Sequence, residues 1–118
     1  MKNTAQDIAR IKEKFQSCQN IFTAFGDETR QYILSVLLCG ECGGSRVVDI
    51  AKRTNLSRPA VSHHMQILKN AGIVKTRKEG TFIYYYLDPE DSDIRKIIDL
   101  FSDIQQIMKN APDRSGEE

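Results

Sequence analysis

Apolar residues recur along this chain in two periods, and the change from one to the other marks out its elements. Between residues 5 and 25, Ile8, Ile11, Phe15, Cys18 and Phe22 fall three and four apart, which places them on one face of a helix. Gly26 interrupts that pattern. Asp27 is placed to cap a second helix to about Leu38, whose apolar positions are Ile33, Leu34, Val36, Leu37 and Leu38. Glycines at 40, 43 and 44 predict a flexible loop. A short helix over Val47–Thr54 turns Val47, Ile50 and Ala51 inward. Asn55 and Leu56 make the next turn, Ser57 caps a further helix, and Pro59 sits in its first turn, where a missing N–H costs little. Val61, Met65 and Leu68 recur at i, i+4 and i+7 as the buried stripe, and Gly72 suits the left-handed residue that ends the helix.

Beyond Gly72 the period shortens to two. Residues Ile73–Arg77 and Thr81–Leu87 predict two strands joined through Lys78-Glu79-Gly80, which puts Arg77 and Lys78 at the tip of a hairpin. Alternation puts Ile83, Tyr85 and Leu87 on the core face and Tyr84 and Tyr86 on the other, a packing arrangement rather than a base-stacking platform. Asp88-Pro89 ends the second strand. A last helix from about Ser92 to Asn110 carries Ile94, Ile97, Ile98, Phe101, Ile104 and Met108, and the tail from about residue 111 is expected to fray. The order is four helices, a hairpin and a helix. It predicts a mainly α fold with a small β-hairpin, a winged helix-turn-helix, as a single domain over residues 1–118. The terminal helices carry more apolar surface than such a core needs. That surplus predicts a homodimer through Ile8, Ile11, Phe15, Ile97, Phe101, Ile104 and Met108. Packing of the two helices on each other within one chain is the alternative.

Length and composition narrow the class. The 118 residues suit one core, and 40% hydrophobic with 28% charged residues is ordinary for a globular protein. No apolar run reaches the roughly 18 residues of a membrane span. Met1-Lys2-Asn3-Thr4 leads straight into a charged helical pattern with no signal peptide, so a cytoplasmic location and no membrane partner are expected.

The net charge of +1 hides a strong asymmetry. Between Arg46 and Lys78 stand eight basic residues against Asp49 alone, a net of +7, and from Asp88 to Glu118 nine acids stand against four bases, a net of −5. A basic block that coincides with a helix-turn-helix suits a polyanion bound through salt-sensitive phosphate contacts. The polar face of the helix after Ser57 holds Arg58, Ser62, His63, Gln66 and Lys69. Gln pairs bidentately with adenine and Arg with guanine, at about 1–3 kcal/mol of discrimination per good pair. Ser57 at the helix N-terminus suits phosphate, as do Arg77 and Lys78 on the hairpin. His63 and His64 point about 100° apart on a helix. The outward one is assigned as His63, and His64 is left for a structural hydrogen bond.

Three motifs in order resemble one family. Phe22–Leu34 reads F-x-A-F-G-D-E-T-R-x-x-I-L, Leu56–Val74 reads L-S-R-P-A-V-S-H-H-M-x-I-L-K-N-A-G-I-V, and Arg77–Leu87 reads R-K-E-G-T-F-I-Y-Y-Y-L. They resemble the N-terminal signature, recognition unit and wing of the ArsR/SmtB winged-helix repressors, over about Phe15 to Met108. The resemblance implies a two-fold dimer built from the terminal helices and a palindromic duplex operator, released when an inducer arrives. It also implies DNA contacts at Ser57, Arg58, Ser62 and His63.

The inducer is less legible. Soft-metal members carry E-L-C-V-C-D-L at the start of the third helix, where this chain reads S-R-V-V-D-I, with Arg46 and Val48 at the two cysteine positions. The family's other metal site uses Asp and His on the last helix, which here has no His. Cys39-Gly-Glu-Cys42 remains. Such a pair can close a disulfide, or hold arsenite or a thiophilic metal ion with Cys18 as third thiolate. A redox or sulfur-species switch fits equally, as does a structural role for all three thiols. An enzyme is not expected, since nothing orients a Cys–His dyad. A winged-helix protein-interaction module, or a regulator without metal sensing, is the alternative to an inducible repressor.

Overall fold

The computed structural model describes residues 3–40 and 43–111; Cys42 and the tail expected to fray lie outside them. Helix α1 spans Ala5–Ser17, α2 Gln19–Phe25, α3 Glu28–Leu38, α4 Val47–Thr54 and α5 Arg58–Asn70; strands β1 (Lys75–Glu79) and β2 (Phe82–Tyr86) follow, then α6 (Ile94–Asn110). The chain divides into two compact units, residues 20–94 and residues 1–19 with 95–118.

The first unit is the winged helix-turn-helix. Its core is built from the stripes that periodicity marks: Ile33, Ile50, Val61, Met65 and Leu68 are fully buried, at about 1.5–3 kcal/mol for each large side chain. Local chemistry sets the helix ends. Asp27 accepts from the Arg30 amide at 3.0 Å and Ser57 from the Ala60 amide at 3.2 Å. Asn55, at φ 58°, closes α4 in the left-handed region, and Gly72, at φ 75°, closes α5.

The hairpin differs from the expectation at its tip. β1 and β2 pair antiparallel from Lys75↔Tyr86 to Glu79↔Phe82, which leaves a two-residue turn at Gly80-Thr81. Gly80 has φ +61° and Thr81 is not among the positive-φ residues, the pattern of a type II′ turn. Lys78 and Glu79 therefore belong to β1. Tyr85 is buried as expected, whereas Ile83 is 44% exposed, because its end of the strand runs past the core. The end of the loop before α4 pairs with the hairpin. Ser45 forms an isolated bridge with Tyr85 through two backbone bonds of 2.8 Å, which ties this part of the loop to β2.

The second unit pairs the terminal helices. Thr4 and Asp7 form a reciprocal capping box at the start of α1. Lys14 bonds Asp99 at 2.7 Å and also Asp103, Arg10 reaches Asp103 at 3.4 Å, and Asn3 donates to the Ile107 carbonyl at 3.1 Å. These contacts within one chain are what the intrachain alternative predicts. The single helix expected over residues 5–25 breaks at Cys18, whose amide is shared between the Lys14 and Phe15 carbonyls. The three-and-four spacing runs unbroken through that site, so periodicity does not mark it. The apolar face of α6 resolves into two stripes. Leu100 is fully buried, with Ile97, Ile104 and Ile107 half-buried at the same spacing, while Ile98, Phe101 and Met108 are exposed. In α1, Ile8 and Phe15 are exposed and Ile11 is half-buried.

Candidate nucleic-acid interface

The site is built on α5. Three fully buried side chains, Val61, Met65 and Leu68, fix the rotation of the helix about its axis. The opposite face follows from that rotation: Ser57, Arg58, Ser62, His63, Gln66 and Lys69 are all exposed. The spacing 58–62–66–69 puts four of them along one line of the helix. The start of α5 is set by the Asn55–Leu56 turn, where the Leu56 amide returns to the Ala51 carbonyl at 3.3 Å. Its end is fastened by Ser92, which donates to the Ile73 carbonyl at 3.1 Å, and by the Asp93 amide, which donates to the Gly72 carbonyl at 2.9 Å.

Gln66 donates one amide N–H to the Asn70 Oδ1 at 2.9 Å. That bond orients the Gln66 amide and leaves its carbonyl oxygen and a second N–H for an outside partner. Asn70 is a positioning residue that the sequence reading missed; its i+4 spacing from Gln66 is the mark that identifies it.

The two histidines divide as expected. His63 is exposed, and the half-buried His64 sits with its Nδ1 3.2 Å from the Arg30 guanidinium. Arginine only donates, so Nδ1 accepts and the ring proton is on Nε2. Burial pushes the His64 pKa down and the Arg30 and His63 charges add to that, against the pull of Asp27. Arg30 is a second residue that sequence reasoning missed. It is 8% exposed and donates to the Ala24 carbonyl at 2.9 Å and the Thr23 carbonyl at 3.0 Å. It thus closes the C-terminal end of α2 and holds α5 through His64.

On the wing, neither Arg77 nor Lys78 is at the tip, which is a correction to the expectation. Arg77 lies in mid-strand opposite Tyr84, and Lys78 opposite Ile83, because the turn is shorter than the sequence implied. The Arg77 guanidinium is committed within the chain: it donates to the Gly43 carbonyl at 2.6 Å and to Glu79 at 3.1 Å, and lies 4.9 Å from the centre of the Tyr84 ring. Lys78 is exposed.

Of the candidate thiols, Cys42 lies outside the described residues. Cys39 is exposed at the C-cap of α3, beside a shallow pocket lined by Val36, Gly40 and Arg53. Cys18 is buried, 1% exposed, at the break between α1 and α2. Among the described residues, no three His, Cys, Asp or Glu side chains are grouped as a metal site, and no helix is long and apolar enough to cross a membrane.

Comparison with known proteins agrees with this fold. The family described as "Bacterial regulatory protein, arsR family" matches residues 27–76, from the α3 cap into β1. An uncharacterized HTH-type transcriptional regulator of Methanocaldococcus jannaschii is 46% identical over 88 residues, covering 74% of this chain and 97% of that protein. The transcriptional repressor SdpR of Bacillus subtilis is 42% identical over 69 residues, covering 58% of this chain and 73% of its own. Among solved structures, a homodimeric winged helix-turn-helix DNA-binding domain from Mycobacterium bovis superposes with a TM-score of 0.57 at 24% identity, covering 100% of this chain and 99% of that one.

Proposed function

This chain belongs to the arsR family of bacterial regulatory proteins, and on that footing we propose that it is a homodimeric repressor that holds a palindromic duplex operator and releases it when an inducer binds. The family is one of DNA-binding transcriptional regulators, not of enzymes. In this reading α5 enters the major groove. Arg58, Ser62, His63, Gln66 and Lys69 face the bases and Ser57 the adjoining phosphate. Lys78 adds a backbone contact from the wing, and Arg77 braces the hairpin through Gly43 and Glu79.

The observation that carries the reading is the division of α5 into a fully buried stripe and a wholly exposed polar face in a net-basic segment. Two-fold assembly through the terminal helices draws support from the exposed Ile8, Phe15, Ile98, Phe101 and Met108, with Ile11, Ile97 and Ile104 half-buried beside them. It also draws on the homodimeric Mycobacterium bovis relative.

The test is binding to duplexes selected by the protein from a random library. Gln66→Ala and Arg58→Ala should each cost about 1–3 kcal/mol and relax preference at a single base position. Selection of no sequence, or unchanged binding by both variants, overturns the reading.

For the inducer, Cys39 and Cys42 are the proposed sensing thiols, taking arsenite, a soft metal ion or an oxidant, with Cys18 as a further sulfur. Cys39 is exposed and reactive chemistry needs that access. The Cys39→Ser/Cys42→Ser protein should bind DNA normally and ignore arsenite and peroxide. A double variant that still responds leaves a regulator with no inducer at these thiols, the reading favoured by Arg46 and Val48 where soft-metal members carry cysteine.

A further inference from the structure

The winged unit has five arginines, Arg30, Arg46, Arg53, Arg58 and Arg77. Three have donors engaged inside the protein: Arg30 on the Ala24 and Thr23 carbonyls, Arg77 on Gly43 and Glu79, and Arg53 on the Ser45 hydroxyl at 3.3 Å. Arg58 belongs to the recognition face described above. Arg46 is the remaining one, and its placement is unusual. It is the N-cap residue of α4 but makes no side-chain cap bond. Its guanidinium lies instead over the Phe82 ring, 4.1 Å from the centroid. Phe82 is 48% exposed and belongs to the last pair of the hairpin, next to the Gly80-Thr81 turn.

This pairing joins residues 36 positions apart in sequence, and it does to an arginine what a binding site requires. The ring steadies the long side chain, so less rotamer freedom is lost when a ligand arrives. A ring face takes up charge but leaves most of the five N–H donors without acceptors. Among the described residues no carboxylate or carbonyl takes them. An exposed aromatic that carries a half-buried, pre-oriented guanidinium beside a strand turn is a surface made for an anion with several oxygens.

Building on the reading of α5 as the major-groove helix, we infer that Arg46, held by Phe82, is the wing's principal contact to the DNA backbone, taking one phosphate per protomer flanking the bases that α5 reads. The role assigned by sequence to the hairpin arginine thus falls to a residue outside the hairpin, because the Arg77 guanidinium is tied to Gly43 and Glu79.

The experiment is a salt titration of binding by fluorescence anisotropy, with the full-length protein and a labelled duplex chosen by the wild type from a random library. Each lost phosphate contact lowers the slope of log K against log salt by about 0.9, so the affinity ratio between about 50 and 200 mM salt shrinks by about 3.5-fold per protomer. Arg46→Ala and Arg46→Gln should both show that drop, with thermal melts confirming folded protein. Phe82→Leu keeps the charge and should keep the slope while losing several-fold in affinity. Weakened binding at an unchanged slope in both Arg46 variants would make Arg46 a brace for the wing and overturn the inference. Unchanged binding would do the same. Wild-type protein that selects no duplex would count against the repressor reading itself, so the two failures are distinct.

Discussion

A buried arginine and a half-buried histidine hold the recognition helix against α3. Arg30 caps the carbonyls of Thr23 and Ala24 and donates to His64 Nδ1. Removing its guanidinium strands those acceptors, and a stranded buried polar group costs about 1–3 kcal/mol. Arg30→Met should therefore lower stability in urea titration by roughly 2–3 kcal/mol, and a loss below about 0.5 kcal/mol would show that water replaces the guanidinium. His64 adds a pH dependence. Its pKa in the folded chain is lowered, first by burial, from the ordinary 6.5. A group of depressed pKa contributes fully above its unfolded value and loses that contribution as pH falls through the folded value. Stability should thus decline on acidification below about pH 6.5. His64→Gln keeps an acceptor for Arg30 but has no proton to gain. Its decline between about pH 7 and 5 should be shallower than that of the wild type; parallel curves would remove His64 from the linkage.

Among the elements, α5 and the wing depend on different ranges of interaction, and that difference separates what was legible in the sequence from what was not. The caps at Asp27 and Ser57, the stop at Gly72 and the stripe of Val61, Met65 and Leu68 depend on neighbours within a few residues, so the sequence read alone places them correctly. Ser57→Ala should cost about 1 kcal/mol, the usual worth of such a cap, measurable by thermal unfolding. The attachments of the wing are long-range. The Ser45–Tyr85 bridge, the Arg77–Gly43 bond and the Arg46–Phe82 stack each join segments 34 to 40 positions apart. No local pattern announces them, so none of the three was legible in the sequence; Arg77 was expected at the tip because Lys78-Glu79-Gly80 implied a longer turn than the structure has. Arg30 was hidden for another reason: its acceptors on Thr23 and Ala24 lie only seven and six positions back, but they are open to it only because α2 ends there, and its contact with His64 spans 34 positions. Gly44 shows what the attachment demands. It has φ +100°, and a Cβ there would approach the Tyr85 carbonyl to 3.0 Å. Gly44→Ala should destabilise by about 1–3 kcal/mol through backbone strain and should weaken DNA binding beyond that by misplacing the wing. Full retention of melting temperature would show that the loop relaxes without cost.

At the scale of the whole molecule, the proposed dimer determines whether the α5 face becomes an operator-binding device. The terminal helices already bond to each other within the chain through Lys14, Asp99 and Asp103, yet Ile98 and Met108 remain 59% and 69% exposed. Leu100 and its half-buried neighbours serve the chain's own packing, while the adjacent stripe of α6 is apolar and exposed, the division expected of a helix that also faces a second copy. A two-fold pair presents two α5 helices to successive major grooves, about 34–36 Å apart. The second helix then binds from an effective concentration set by the protein rather than by solution, which is worth about 10²–10⁴ in apparent affinity. Ile98→Glu/Met108→Glu should sediment as a monomer of 13.4 kDa, where the wild type at micromolar concentration sediments at about twice that mass. The same variant should lose about 10²–10⁴ in affinity for a palindromic duplex but keep wild-type affinity for a duplex carrying one half-site, since each α5 face is intact. A wild type that sediments as a monomer would refute assembly through these helices. Equal losses on palindrome and half-site would instead mean that the charges had damaged the fold of the protomer.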